Sequence, residues 1–362
     1  MQLKNIINKF DKSSIKAGDG KEVGIYPLYT CSPIVNKFLN DFICDDEAIV
    51  LSTGGSFSIH YVKGKFNYST DCYVFNTDKF NLKYLYYYLL NKSDDINKMF
   101  RGAGLKHLNK NEFISLNIND INLKQQLLIV KQLDKLTELI TIKKQEIDKC
   151  NSLIKSQFVE MFENKDFPYV QFKEYMERCV DIGSNGANAV VMEHYNMTDT
   201  KDYAMVIRFT NLNSGDFEKD VKYINKEDYE FYSKSKVYGD EIIFCKIGSA
   251  GVNYIMPKLN MPVTLGLNQI MVTPKNINIR YLYEYINSYE GKKYINNNIN
   301  GAVTKTITKH ALWDFPIKIP PIELQNEFAS IVEQIDKQKF EFEKSLKKLE
   351  ELQASLMQEY FG

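Results

Sequence analysis

The sequence lacks a CxxC pair and contains no long apolar run. The six cysteines are scattered and form no CxxC pair, which indicates reduced thiols rather than a disulfide framework or a zinc site. No stretch approaches the roughly 18 consecutive apolar residues of a membrane-spanning helix. The N-terminal stretch MQLKNIINKFDK has no apolar core of a secretory signal. We therefore expect a cytoplasmic protein that does not bind a membrane.

The chain also lacks an excess of either charge. Its 46 basic and 46 acidic residues give a net charge of zero over 362 residues. This excludes a protein that coats nucleic acid by bulk charge, but it leaves local basic patches open. Arginine is scarce: Arg101, Arg178, Arg208 and Arg280 are its only positions.

Sequence motifs of catalysis are missing as well. The sequence has no NPPY or DPPY tetrapeptide of an adenine methyltransferase, no GxxxxGK[ST] phosphate loop and no GxGxxG. It has no nucleophile-elbow pattern. The four histidines, His60, His107, His194 and His310, do not have metal-ligand spacing. We therefore predict no catalytic residue and no metal site.

What the chain does contain is an internal repeat. Residues 101–118, RGAGLKHLNKNEFISLNI, resemble residues 300–317, NGAVTKTITKHALWDFPI, at an offset of 199. Gly102 corresponds to Gly301, and Lys106 corresponds to Lys305. Such self-similarity indicates a duplicated structural unit.

A stretch with the heptad pattern of a coiled coil follows each copy of the repeat. In residues 125–162 and 324–361, apolar residues recur at alternating steps of four and three, which predicts two long helices. The first seam contains Ile129, Leu133, Leu136, Ile140, Ile147, Cys150, Ile154 and Met161. The second contains Phe328, Val332, Ile335, Phe342, Leu346, Leu349, Leu356 and Tyr360.

The two seams are complementary in polarity. Lys143 stands where the second copy has Phe342, and Lys339 stands where the first has Ile140. This pattern indicates that the two helices pack on each other, and a pseudo-two-fold relation between the repeats requires them to run antiparallel. Two unrelated amphipathic surface helices are the alternative. The local match of IVKQLDK with IVEQIDK favours an offset of 202, so the register stays open by three residues.

The segment before each helix has a mixed composition. Runs such as EAIVLST (47–53), CYVFN (72–76), YAMVIRFT (203–210), DEIIFCKIG (240–248) and NQIMVT (268–273) predict strands. A short aromatic helix recurs as LKYLYYYLLN (82–91) and IRYLYEYINS (279–288). We therefore predict an α+β fold with two mixed α/β domains and an intramolecular antiparallel coiled coil. The predicted parts are a first domain (1–120), a first helix (121–162), a second domain (163–321) and a second helix (322–362), with the two domains at opposite ends of the paired helices.

Two basic segments without acidic residues, RGAGLKHLNKN (101–111) and GAVTKTITKH (301–310), are the candidate nucleic-acid contacts. Glycine permits close backbone approach, and Lys, Arg, Thr and Asn are typical phosphate ligands. An ordinary solvated loop is the alternative for both segments. The candidates are Arg101, Lys106, His107 and Lys110 in the first segment and Lys305, Lys309 and His310 in the second, with Lys12, Lys16 and Arg208 as weaker ones.

Several segments together resemble the DNA-specificity subunit of type I restriction-modification systems. IKIPPIELQNEF (317–328) is similar to that family's closing strand, Pro-Pro turn and helix start, and NINDINLKQQLLIV (117–130) is similar to the first copy but lacks Pro-Pro. YPLYTCSPIVNKF (26–38), AIVLSTGGSFSIHYVKGKF (48–66) and GDEIIFCKIGSAG (239–251) are similar to segments of its target-recognition domains.

The resemblance implies a non-catalytic subunit whose two target-recognition domains each read one half of a bipartite duplex DNA site. The helices of such subunits set the gap and dock two methyltransferase subunits, which modify adenines with S-adenosylmethionine. ATP-driven restriction subunits then join. It further implies that this chain binds no cofactor and that S-adenosylmethionine, ATP and Mg belong to the partners. The sequence differences between the two domains favour an asymmetric target.

The charge of the second predicted helix fits a protein partner better than DNA. Residues 322–362 carry five lysines against nine acids, whereas residues 121–162 carry seven lysines against five acids.

Two other functions compete with that of a DNA-specificity subunit. The first is a coiled-coil scaffold that does not bind DNA, and the second is an unrecognised nuclease or methyltransferase.

Overall fold

The computed structural model describes residues 1–119, 121–163 and 165–362. Asp120, the predicted end of the first domain, lies outside these residues. The chain forms two compact units: the first comprises Met1–Glu146 and Phe342–Gly362, and the second comprises Ile147–Glu341. Each unit therefore contains a mixed α/β part together with a portion of each long helix.

Strands and helices of the first unit follow the predicted order closely. The predicted strand CYVFN and the predicted helix LKYLYYYLLN have the bounds that the sequence indicated. The strands are β1 (Asn8–Lys9), β2 (Tyr26–Tyr29), β3 (Phe38–Leu39), β4 (Cys44–Ser52), β5 (Ile59–Tyr68), β6 (Cys72–Asn76), β7 (Phe100–Arg101) and β8 (His107–Leu108). The helices are α1 (Leu82–Asn91), α2 (Ser93–Lys98) and α3 (Lys110–Ile114). The long helix α4 (Leu123–Phe158) begins in this unit; its residues from Ile147 onward, with the π-helical turn Val159–Glu163 that continues it, belong to the second unit.

The main sheet of the first unit has the order β1-β6-β4-β5-β2-β3, and its one parallel pair among the described strands is β2 with β5. Strand β4 is buried on both faces along Ala48–Ser52, which explains its continuous apolar run. Ile49 and Leu51 pack in a cluster with Leu85 of α1, whereas Val50 packs in a second cluster with Phe66.

The second unit has smaller sheets. Its strands are β9 (Tyr169–Gln171), β10 (Met176–Val180), β11 (Ala204–Ile207), β12 (Lys222–Ile224), β13 (Lys236–Val237), β14 (Ile242–Cys245), β15 (Asn253–Ile255), β16 (Val263–Leu265), β17 (Gln269–Pro274) and β18 (Pro316–Lys318). Its helices are α5 (Asn188–Glu193), α6 (Phe209–Ser214), α7 (Lys226–Phe231), α8 (Ile279–Asn287), α9 (Tyr289–Asn297) and α10 (Lys309–Trp313). The long helix α11 (Ile322–Phe361) belongs to this unit as far as Glu341 and to the first unit from Phe342.

These strands form two four-stranded sheets with the orders β10-β17-β14-β15 and β12-β11-β16-β13, and β18 pairs with β9. Ile243 and Met271 belong to the first of these sheets, and Met205 and Val263 belong to the second. All four side chains are buried in one cluster, so the two sheets share a core.

The long helices α4 and α11 run antiparallel where they meet within each unit. In the first unit, the Tyr360 hydroxyl donates to Gln132 Oε1 (2.6 Å), and Gln353 Nε2 donates to Thr137 Oγ1 (3.0 Å). Further along, Lys144 Nζ lies 3.0 Å from Glu350 Oε1. Residue numbers thus rise along α4 as they fall along α11.

In the second unit, Lys339 Nζ donates to Asn151 Oδ1 (2.8 Å), and the rings of Phe158 and Phe328 lie 5.7 Å apart. The same antiparallel order therefore holds there, as the complementary seams predicted. Among the predicted seam residues, Leu133, Leu136, Val332 and Ile335 are buried, and Ile129, Ile147, Phe342, Leu346 and Leu349 are half-buried.

A buried glutamine at the start of each long helix repeats at the offset of 199. Gln126 Oε1 accepts the Asn81 N–H (2.7 Å), and its Nε2 donates to the Ile121 carbonyl (2.8 Å). Gln325 likewise accepts from the Asn278 N–H (2.9 Å) and donates to the Pro320 carbonyl (2.8 Å). At the starts of the two long helices, structurally equivalent residues are therefore 199 positions apart.

Further along the two helices, structurally equivalent residues are 202 positions apart instead. Lys83 of α1 pairs with Asp134 of α4 (2.7 Å). Arg280, at the equivalent position of α8, pairs with Asp336 of α11. The local match of IVKQLDK with IVEQIDK therefore reflects this repeated ion pair, which the first unit makes with α4 and the second with α11.

Candidate nucleic-acid interface

The first part of each basic segment folds as a tight hairpin that requires glycine, and Lys110 and Lys309 begin the helices α3 and α10 that follow. In the first, β7 pairs with β8; in the second, Asn300 and Thr306 exchange main-chain hydrogen bonds of 2.9 and 2.8 Å. Gly102 has φ +149° and Gly301 has φ +100°. A Cβ at Gly102 would lie 2.7 Å from the Leu105 carbonyl oxygen, and a Cβ at Gly301 would collide with the Thr304 carbonyl oxygen. Any side chain at either glycine would therefore disrupt the hairpin.

The first hairpin is held on its unit by two main-chain hydrogen bonds. The Gly55 N–H donates to the Lys106 carbonyl (2.9 Å), and the Leu108 N–H donates to the Thr53 carbonyl (3.0 Å). The side chains of Lys106 and His107 are exposed, as is the hairpin tip, where Leu105 is 74% exposed. The backbone is thus fixed while the basic side chains face solvent.

The second hairpin is held in the same way. The Gly248 N–H donates to the Lys305 carbonyl (3.0 Å), and the Ile307 N–H donates to the Lys246 carbonyl (3.0 Å). Lys305 is exposed, and Val303 at the tip is 96% exposed. The repeat in the sequence therefore corresponds to a repeated structural device in each unit.

A cluster of three lysines lies beside the first hairpin. Burial lowers the pKa of Lys110, and the nearby charges of Lys9 and Lys12 lower it further. The ammonium groups of Lys9 and Lys110 lie 5.6 and 5.9 Å from the ring centroid of Tyr73. Mutual repulsion of this kind favours binding of an anion such as a phosphate. Sequence reasoning named Lys12 and Lys110 but missed Lys9, which stands three residues before Lys12.

The remaining candidates in the first unit differ in their charge environment. Arg101 forms an ion pair with Glu112 (2.7 Å), although its side chain is 66% exposed. The acid therefore comes from just beyond the acid-free segment. Lys16 is exposed, and its N–H donates to Asp19 Oδ2 (2.7 Å), which closes a short turn.

In the second unit, Asp181 gathers two of the basic side chains. Lys309 Nζ bonds to Asp181 Oδ1 (3.0 Å) and to Ser184 Oγ (3.0 Å), and Lys246 Nζ bonds to Asp181 Oδ2 (2.7 Å). Burial alone would raise the pKa of Asp181, but the hydrogen bonds from Lys246, Lys309 and Ser184 outweigh it and lower the pKa to about 2. Two lysines and one carboxylate leave this cluster with one positive charge.

The last two candidates of the second unit have aromatic and main-chain partners. The ring of the exposed His310 lies 4.6 Å from that of Trp313. Arg208 is half-buried, and its Nη2 donates to the Asp220 carbonyl. Arg208 is therefore partly held by its own unit.

Within residues 1–119, 121–163 and 165–362, no three His, Cys, Asp or Glu side chains are grouped so that they could hold a metal ion. None of the helices described in these ranges is both long and apolar enough to cross a membrane.

Comparison with known families decides how this duplicated arrangement is classified. Residues 1–152 and 188–354 match the model of the type I restriction modification DNA specificity domain. The chain belongs to this family. The two matched stretches confirm the duplicated organisation, and membership confirms that the subunit is the DNA-recognition component of a restriction-modification complex rather than a catalytic one.

Individual relatives are distant in sequence but similar along most of their length. The EcoDI type I restriction enzyme specificity subunit of Escherichia coli is 21% identical over 90% of this chain and 79% of that protein. The type I S subunit from M. genitalium is 14% identical with a TM-score of 0.65, covering 100% of this chain and 95% of that one. A chain from a study of type I R-M complex assembly and conformational transition is 12% identical with a TM-score of 0.52, covering 100% and 96%.

Proposed function

We propose that each unit of this specificity subunit reads one half of an asymmetric bipartite site in duplex DNA. The observation that carries the proposal is the repeated hairpin, held in both units by equivalent main-chain bonds and presenting Lys106 or Lys305. The sheets behind the hairpins differ, with six strands in the first unit and two sheets of four in the second. Because the hairpins are alike, we expect them to contact phosphates in the same way. Because the sheets differ, we expect the two units to read different bases.

The phosphate contacts are assigned to the exposed lysines of the hairpins and to the cluster of Lys9, Lys12 and Lys110. These side chains carry the local positive charge that a chain of zero net charge needs for DNA binding. The hairpin tips carry Leu105 and Val303 rather than charged residues, so the tips themselves suit a groove better than a phosphate.

The long helices are the proposed docking surface for two methyltransferase subunits. Exposed apolar residues repeat on them at the offset of 199: Leu123 with Ile322, and Leu153 with Leu352. A repeated apolar surface suits two copies of one partner. Restriction subunits join this complex in the cytoplasm, and S-adenosylmethionine, ATP and Mg bind to the partner subunits rather than to this chain.

The test is to map methylated adenines in cells that express this chain with its methyltransferase. The proposal predicts one motif with two different half-sites separated by unspecified bases. A contiguous motif, or methylation that does not depend on this chain, would contradict it. The complex of this chain with its methyltransferase, purified from these cells, should bind duplex DNA that carries the motif.

A further inference from the structure

A pocket of about 310 Å³ opens in the second unit beside the end of β11 and the start of β17. This volume is at the lower end of the range of small-ligand sites. The residues that line it and matter here are Tyr195, Met197, Arg208, Phe209, Leu267 and Gln269.

The amide of Gln269 ends in a buried donor without a partner. Gln269 is 2% exposed, and its Oε1 accepts the Gly266 N–H (2.8 Å). This bond fixes the orientation of the amide, because a main-chain N–H must face the oxygen. Gln269 Nε2 therefore faces the other way, and it has no hydrogen-bond partner among the residues that the structure describes. Such groups are rare in folded proteins and require an explanation.

Arg208 supplies a second donor at the same pocket. Its Nε is buried and unpartnered within the described part of the chain, while its Nη2 donates to the Asp220 carbonyl. The Tyr195 hydroxyl accepts the Leu267 N–H (3.2 Å), which leaves its own hydrogen available for donation. Three side chains thus offer donors, so a complementary ligand presents acceptors.

The rest of the lining favours a planar ligand. Phe209, Met197 and Leu267 supply apolar walls. A nucleobase has apolar faces and an edge with acceptors, such as O6 and N7 of guanine, which donors of this kind recognise. A phosphate fits less well, because one guanidinium and an apolar lining would leave most of its charge unpaired.

Main-chain hydrogen bonds connect the pocket rim to the second hairpin. The Asn268 carbonyl accepts the Lys246 N–H (2.7 Å), and the Lys246 carbonyl accepts the Ile307 N–H (3.0 Å). In the first unit, the equivalent Thr53 N–H donates to the Asp71 carbonyl (2.8 Å). The next residue there is Cys72, in the place that Gln269 occupies in the second unit.

We propose that this pocket of the second unit binds a nucleobase through its acceptor edge, with Gln269 and Arg208 as the donors. The assignment to DNA reading rests on the proposed function, in which the base belongs to the half-site of the second unit. A free nucleobase would offer the same chemistry, so the experiment separates the two sources.

The central variant is Gln269→Leu, made in the full chain and studied with its methyltransferase. We expect the affinity for the target duplex to fall roughly ten- to a hundredfold and at least one base of the second half-site to be relaxed. The first half-site should not change. The thermal midpoint of the free chain should fall, because leucine also removes the acceptor of the buried Gly266 N–H. Gln269→Glu keeps an oxygen for that N–H and removes only the donor, so it should relax the same base and separates lost recognition from lost stability. Cys72→Val, at the equivalent position of the first unit, is the control and should leave the second half-site intact.

The source of the base is tested by titrating the four nucleosides into the full chain by calorimetry. If the wild-type chain binds a nucleoside and Gln269→Leu does not, a free base is a ligand of the pocket. If Gln269→Leu changes only the binding of duplex, the ligand is a base of the DNA. Either result supports a base-binding pocket. Wild-type specificity and affinity in Gln269→Leu, together with no nucleoside binding, would overturn it. If the wild-type complex binds no duplex, the proposed function fails, and the nucleoside titration still tests the pocket.

Discussion

Replacing Asp181 with asparagine should have opposite effects on stability and on DNA binding. The two lysines and Ser184 hold the pKa of Asp181 at about 2, below its ordinary value of 3.8. Each pKa unit corresponds to about 1.4 kcal/mol, so the charged carboxylate contributes about 2 kcal/mol to the free energy of unfolding at neutral pH. We expect Asp181→Asn to lose roughly that amount in denaturant unfolding.

The pH dependence follows from the same lowered pKa. A carboxylate whose pKa is lower in the folded state stabilises the protein above its unfolded pKa, and this contribution disappears as the pH falls from about 4 to about 2. Wild-type protein should therefore lose stability over this interval more steeply than Asp181→Asn. Equal slopes would show that Asp181 does not form these contacts in solution.

DNA binding should respond in the other direction. Without the carboxylate, Lys246 and Lys309 carry two uncompensated charges beside the second hairpin. If that hairpin lies on phosphates, the affinity at low salt should rise, and the slope of log K against log salt should steepen by about 0.9. Fluorescence anisotropy with a target duplex over a salt series measures both quantities.

The matched control is Asp199→Asn, which removes an equal charge from another ion pair of the second unit, Lys222–Asp199. The Asp199 side chain is exposed, so this change should cost less than about 1 kcal/mol and leave the salt slope near its wild-type value. If Asp181→Asn gives the same salt slope as Asp199→Asn, the reasoning that places Lys246 and Lys309 on DNA is refuted.

Three further predictions concern the duplicated features. Lys106→Glu and Lys305→Glu should each weaken binding to all duplex sequences and flatten the salt slope by about 0.9 or more, measured by anisotropy. Gln126→Leu and Gln325→Leu should each cost about 1–3 kcal/mol in denaturant unfolding, because each leaves a buried N–H and a carbonyl unpaired. Gly301→Ala should lower DNA affinity in the same assay, because the Cβ would displace the hairpin carbonyl.

A specific result would contradict each of these three predictions. Lys98→Glu, in an exposed ion pair with Asp95, is the charge control for the hairpin lysines, and an equal effect from it would remove the hairpin from the interface. A loss at Gln126 without one at Gln325 would contradict equivalent roles for the two glutamines. Wild-type affinity in Gly301→Ala would mean that the hairpin shape is unimportant for binding.

The sequence predicted those parts of the fold that depend on local periodicity. Helix α1 has the predicted bounds because Asn81 caps it and Tyr84, Tyr87 and Tyr88 lie on its buried face. The heptad seams predicted α4 and α11 and their pairing, since polar positions such as Lys143 face apolar ones such as Phe342, whose ring centroid lies 4.7 Å from the Lys143 Nζ. The predicted domains at opposite ends of the helices stay a prediction.

Two predicted strands were too long. Of DEIIFCKIG (240–248), only Ile242–Cys245 forms a strand, β14. The second, YAMVIRFT, was too long for a local reason. YAMVIRFT was expected to be a strand through Thr210, but β11 ends at Ile207, and α6 begins at Phe209. The Arg208 carbonyl accepts the N–H groups of Asn211 and Leu212, so a helical turn replaces the last ladder bonds. Phe and Thr favour strands in general, and the local helical turn overrode that preference here.

The charge environment of the site could not be predicted, because it depends on residues distant in the sequence. The second basic segment contains no acid of its own, yet Asp181 reaches Lys309 from 128 residues away. Lys9 joins Lys110 from the opposite end of the first unit's sequence. The unpaired donor of Gln269 likewise depends on Gly266 and on the absence of a partner among the described residues, which only the packed structure reveals.

The most direct test of two independent reading units is an exchange of residues 163–321 for the corresponding segment of another specificity subunit. Methylated adenines would then be mapped in cells that carry the hybrid with the methyltransferase. We predict that one half-site changes to that of the donor while the other half-site stays the same. A change in both half-sites, or in neither, would contradict the account.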